Sequence, residues 1–161
     1  MRVAPVFLVA LASCGTHLVP IVPDGMGAGA NAAPSDPTFE VVARTVGVKD
    51  PLPVSGAGVT YGELEPALAQ AVLRAVHARH DTTLTIELVA ADADYAHGRL
   101  AVSLVVRATL RAKSGNAFVG QTQAVCHDGE ILAPESGARV VWSCMTRLGR
   151  DISGWLDGLP P

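Results

Sequence analysis

Clusters of positive charge are missing from this sequence of 161 residues. No two of its 12 Lys and Arg residues are adjacent, and 15 acidic residues leave a net charge of −3. Nucleic-acid binding draws on a clustered basic face, so no nucleic-acid partner is expected. Charged residues make up only 17% against 49% apolar, a balance that argues against a disordered chain. Aromatics are scarce, with two Trp, two Tyr and three Phe, so a core has to be built from Val, Leu, Ile and Ala. Beyond the first twelve residues no apolar run approaches the roughly 18 needed to cross a bilayer. The serines lack a Gly-x-Ser-x-Gly setting. Gly25, Gly27 and Gly29 have no strand before them to make a nucleotide loop. No cofactor is expected, and no enzyme.

What is present begins at the N-terminus. Met1-Arg2 supplies a short positive region, Val3 to Ala12 is apolar, and Ser13-Cys14 follows. Charge, a short apolar stretch and small residues are the layout of a secretory leader, too short for a stable transmembrane helix. Leu11-Ala12-Ser13-Cys14 resembles the bacterial lipobox. The resemblance implies cleavage before Cys14 and acylation of that cysteine on its sulfur and amine. Several acyl chains would anchor firmly, because each buried methylene contributes about 0.8 kcal/mol. Gly15 rather than Asp after the cysteine implies, by the sorting habit of such proteins, the outer membrane and a periplasm-facing domain. The plainer alternatives are a secreted protein cut nearby or a buried strand.

Three cysteines are an odd number for an exported chain. With Cys14 set aside, Cys126 and Cys144 remain, in a compartment where a disulfide persists. Two buried free thiols are the alternative, and a metal or catalytic pair a third.

Residues 14–37 carry Gly15, Gly25, Gly27, Gly29, Pro20, Pro23, Pro34 and Pro37 and read as a linker after a leader of residues 1–13. Within it, Leu18 to Val22 is mildly apolar, suited to lie on the membrane or on the domain. The domain is expected over residues 38–158. Thr38 to Val48 reads as a strand with Phe39, Val41 and Ala43 on one face. Lys49 to Gly58 reads as a loop. Thr60 to His80 reads as a helix, with Leu64, Leu68, Val72 and Val76 on one stripe and regular turns starting near Pro66. Leu84 to Ala91 alternates as a strand, followed by a polar turn to Gly98. Leu100 to Ala112 alternates most regularly, and Ser114-Gly115 turns the chain into a hairpin partner from Asn116 to His127. There Phe118, Thr122, Ala124 and Cys126 share one face. After a loop, a second helix runs from Pro134 to about Asp157, with Val141, Met145, Leu148, Ile152 and Trp155 on a stripe and Cys144 at its edge. Both Cys126 and Cys144 are then placed toward one helix–sheet interface, as a bridge requires.

The order β-α-β-β-β-α predicts an α+β two-layer sandwich, an antiparallel sheet of about four strands with two helices on one face. The other face would carry Val89, Ala91, Ala101, Val105, Val119 and Val125, more apolar than a purely solvated face. It is a candidate partner surface, the alternative being small residues tolerated in water. Three polar groups are candidate reactive sites: His77, His80 and Asp81 for a metal, Asp92, Asp94 and His97 at a turn, and His127-Asp128 beside Cys126. An exposed helix end, backbone capping and disulfide use account for them more simply, so no metal site and no catalytic residue is expected.

The lipobox at Cys14, the Tyr61 to Leu68 helix start, the Leu84 to Ala91 strand with Asp92 and Gly98, Gly98-Arg99-Leu100 opening a long strand, and the Ser136 to Leu156 helix together resemble the ABC-type transport auxiliary lipoprotein family. The resemblance covers roughly residues 38 to 158. It implies a non-enzymatic, lipid-anchored component of a lipid or solute trafficking system, with an envelope transport complex as partner. Similar domains occur in the lipoprotein partner of the lipopolysaccharide-assembly barrel, so an outer-membrane barrel is the alternative partner. A metal-binding or hydrolytic envelope protein is a further alternative.

Overall fold

The alternation of apolar residues from Leu84 to Leu110 produces a long hairpin whose inward side chains are almost wholly buried. In a computed structural model, which describes residues 16–21 and 37–160, the elements follow in order. They are β1 (His17–Pro20), β2 (Glu40–Thr45), β3 (Leu52–Pro53), β4 (Val59–Gly62), α1 (Leu64–Leu73), β5 (Thr82–Ala96), β6 (Arg99–Ala112), β7 (Phe118–Ile131) and α2 (Ala138–Asp157). The larger sheet has the order β2-β5-β6-β7, and β1-β4-β3 form a smaller one. The helices pack on each other, α2 over β6 and β7 and α1 over β2. The architecture is an α+β sandwich.

Several expectations need correcting. β2 runs parallel to β5, Glu40 opposite Thr83 and Thr45 opposite Leu88, so the large sheet is mixed. Alternation of side chains is the same in either direction. The intervening connection contains a helix, as parallel neighbours need. The segment Thr60 to His80 is not one helix. Its start is β4, held between β1 and β3, and Glu63 takes a left-handed conformation (φ 65°) at the corner. The backbone N–H of Leu64 donates to Asp50 Oδ2 at 3.2 Å, starting α1 there. Pro66 falls in the first turn, where its missing N–H is harmless. The helix ends at Leu73, and His77 and His80 lie beyond it.

β5 continues through the expected polar turn, because Asp92 and Asp94 point outward while Ala93 is buried. A bulge between Leu88 and Ala90 reverses which side faces in. Ala91 therefore packs on the core rather than on the outer face. A second register shift, at Leu110/Arg111, pairs Arg111 with Phe118 and leaves Val119 extra. Phe118 is consequently 59% exposed rather than in the interface. β7 extends to Ile131, past the expected end at His127. The second helix begins with a 3-10 turn, Pro134–Ser136, before α2.

Within the segment read as a linker, His17–Pro20 pairs in parallel with β4 and Ile21 is fully buried. The apolar stretch at 18–21 thus lies on the domain, because its backbone completes the small sheet and the side chains of Val19 and Ile21 find core, while Leu18 stays 58% exposed. The leader, including Cys14, lies outside the described residues.

Candidate functional site

Among the described residues, one face of the larger sheet carries no helix. Its residues come from alternate positions on four strands, so register decides which become neighbours. One row across the sheet is Arg44, Glu87, Arg107 and Gln123. Arg44 donates through Nη2 and, at 3.1 Å, through Nε to Glu87 Oε1. Arg107 Nη1 reaches Oε2 at 3.4 Å. The Glu87 side chain is only 14% exposed between the two guanidinium groups, so one carboxylate serves two cations. Farther toward the β6–β7 turn, Arg111 donates to the carbonyl of Asn116 at 3.2 Å and lies 6.0 Å from the Phe118 ring centroid. With Thr85, Thr109 and Gln121 these side chains line a shallow groove of about 260 Å³. Its character is cationic and polar with one aromatic wall.

Beyond the arginine row lies one apolar row, Ala90, Val105 and Val125, and after it the mixed rows Asp92–Ser103–His127 and Asp94–Ala101–Gly129. Val105 pairs across strands with Val125, which is 46% exposed, and Ala101 pairs with Gly129. Val89, at the bulge, lines a separate groove of about 420 Å³ with Val48, Leu52, Pro53 and Ala91. Val119 sits at the far turn, six residues along β7 from Val125, which is about 20 Å of strand. Of the six predicted surface residues, Val105 and Val125 are therefore direct neighbours, Ala101 lies two rows farther along beyond Ser103 and His127, and Ala91 faces the core. Val89 borders the Val105–Val125 pair, and Val119 is separated from it by the arginine rows.

The helix side holds the cysteines. Cys126 and Cys144 are joined with Sγ atoms 2.01 Å apart and Cα atoms 5.7 Å apart, both buried. The pair beside His127-Asp128 thus carries no thiol. Asp128 instead accepts from the Gly129 N–H at 2.8 Å and pairs with Arg147 at 3.2 Å. His77 is exposed, while His80 Nδ1 and the Thr38 hydroxyl share a hydrogen bond at 3.1 Å. The Asp81 N–H donates to that hydroxyl at 2.8 Å. These contacts fix the start of β2 against β5. Asp92 and Asp94 are exposed on β5, and His97 occupies the β5–β6 turn with φ 53°. Among the described residues no three His, Cys, Asp or Glu side chains converge as metal ligands would.

Among the described residues two titrations are displaced. The Thr45 backbone N–H and hydroxyl donate to Glu65 Oε1 at 2.6 and 2.9 Å, and hold the Glu65 carboxyl below its ordinary value. The Tyr61 hydroxyl donates to the carbonyl of Pro134 at 2.7 Å. Burial, with Glu135 a lesser cause, pushes it up to about 12. Both groups tie elements together on the helix side and neither opens onto the sheet face.

No family model and no curated protein matches this sequence. Among solved structures, the fold is similar to that of protein XCC0632 from Xanthomonas campestris, assigned to the DUF330 family. The TM-score is 0.56 at 17% identity, over 73% of this chain and 81% of that one. A candidate lipoprotein from Caulobacter crescentus CB15 aligns with a TM-score of 0.44 at 15% identity, over 77% and 93% of the two chains. The Xanthomonas likeness establishes a shared fold.

The Arg44–Glu87–Arg107 row escaped sequence reasoning. Its members are 43 and 20 residues apart, and only strand register makes them neighbours. The available signal was that all three fall on outward positions of their strands.

Proposed function

We propose that this chain is a lipid-anchored protein of the bacterial envelope that works by docking rather than by catalysis, as an auxiliary component of an ABC-type trafficking system. The observation that carries this reading is Cys14 at the end of a short apolar leader, in a Leu-Ala-Ser-Cys setting. The joined Cys126 and Cys144 support it, since such bonds persist in exported proteins. The fold shared with the Xanthomonas protein is compatible with it. The docking element is the outer sheet face, with Val105 and Val125 between the arginine row on one side and the Asp92–Ser103–His127 row on the other. An apolar centre with a charged rim is the usual anatomy of a protein interface.

The test pairs anchoring with contact. Cys14→Ser should move the protein from the membrane to the soluble fraction. A photo-cross-linker at Val105 should capture a transport component of the envelope from wild-type cells. Equal fractionation of wild type and variant would defeat the anchor, and capture of a barrel protein instead would replace the transport reading with barrel assembly.

A further inference from the structure

Resting on acylation of Cys14, we propose that one end of the domain sits directly on the lipid surface, with Ile131 at the contact. This end is formed by the turn between β3 and β4, the β5–β6 turn and the C-terminal end of β7. The first support is the length of chain available. Cys14 is three residues before His17, which is already fixed by its N–H donating to the Gly58 carbonyl at 3.0 Å. Three residues span about 11 Å at full extension. Acyl chains in the hydrocarbon place Cys14 near the headgroups, a layer of about 6 Å. The remaining reach is a few ångströms, too little for a domain standing off from the surface.

The second support is which end that short leash reaches. Gly58 closes the turn that begins at Ser55. That turn is bound to β5: the Ser55 N–H donates to the Ala93 carbonyl at 2.8 Å, and the Tyr95 N–H donates to the Ser55 carbonyl at 2.8 Å. Tyr95 precedes the β5–β6 turn. Arg99 beyond that turn pairs with Ile131, and the Leu132 N–H donates to the Gly98 carbonyl at 3.2 Å. The leash and Ile131 therefore share one end of the molecule. Ile131 is 82% exposed, more than any other large apolar side chain among the described residues. Residues 55–58 and 96–99 contain no acidic side chain, and Arg99 is exposed among them. Uncharged turns, an exposed isoleucine and a cation suit a lipid interface; the carboxylates nearest this end are Asp94, exposed beside Ser55, and Glu130, paired with Arg139 at 2.7 Å.

The consequence is an orientation. β6 runs 14 residues from Arg99 to Ala112, so the β6–β7 turn stands about 40 Å from the membrane end. The Arg111–Phe118 groove then faces away from the bilayer, open to a partner crossing the envelope.

The test uses the mature, acylated full-length protein in phosphatidylethanolamine–phosphatidylglycerol vesicles, some carrying a nitroxide-labelled lipid. Cys14 is acylated and the other cysteines are joined, so an introduced cysteine takes a bimane label alone. Ile131→Cys and His97→Cys should lose emission to the nitroxide lipid, and Ser114→Cys, at the far turn, should not. Equal quenching at all three positions, or at none, with protein that floats with the vesicles, overturns the orientation and leaves the anchor standing. Shielding at position 131 that depends on protein concentration and not on the nitroxide lipid assigns this end to a second copy, and also overturns it. Protein that does not float, with Cys14 unmodified, overturns both the orientation and the anchor.

Discussion

Single side chains join the layers of this fold at a few polar points in an otherwise apolar core. Tyr61, with its ring fully buried, spans from β4 to the turn before α2 through its bond to the Pro134 carbonyl. Tyr61→Phe should lower unfolding free energy by about 1 kcal/mol in urea titration, the usual net value of such a bond. An unchanged midpoint would remove the bond from the account. Glu65 ties the first turn of α1 to the end of β2. Its folded pKa is lowered, so its contribution is complete above the ordinary value of 4.5 and disappears as pH falls through the lowered one. Glu65→Gln should therefore flatten the acid limb of the stability profile below about pH 4.5, read as Tm against pH. A parallel downward shift at every pH would assign Glu65 a packing role instead. At this scale the candidate surface was only partly legible. Outward positions such as Val105 and Val125 follow from alternation alone. The Arg44–Glu87–Arg107 contacts require knowing which strands lie side by side.

Elements were legible where one period runs unbroken. β6 alternates without interruption and its six inward residues are all buried. The stripe of α2 reproduces a helical period just as cleanly, and its Cys144 edge faces Cys126 on β7. That bridge closes a separation of 18 residues and ties the second helix to the sheet. Replacing both cysteines with Ala should lower stability by about 3 kcal/mol in the chain-entropy description, measured by denaturant unfolding. A loss near zero would show that packing of α2 alone holds the interface. Bulges were not legible, because one inserted residue preserves alternation on both sides while exchanging the faces. Ala91, Ala93 and Tyr95 against Asp92 and Asp94 carried the new phase in plain view. The end of α1 was hidden for a related reason. Leu64, Leu68, Val72 and Val76 keep a helical period, yet the Val72 carbonyl accepts from both the Ala75 and Val76 N–H groups as the chain turns away. β1 has four residues and no pattern of its own, and exists because β4 offers it an edge.

At the scale of the whole molecule, the two-layer arrangement puts both described helices on one side of the larger sheet. The same β-rich frame carries the N-terminal strand to within three residues of Cys14. The proposed anchor and the proposed orientation both depend on the chemistry of a single cysteine. Mass spectrometry of the protein isolated from its native host reads that chemistry directly. An N-terminus at Cys14, heavier than the bare residue by a diacylglyceryl group and an amide-linked acyl chain, is the expected result. A chain that retains Met1, or begins elsewhere with an unmodified thiol at Cys14, would contradict the account.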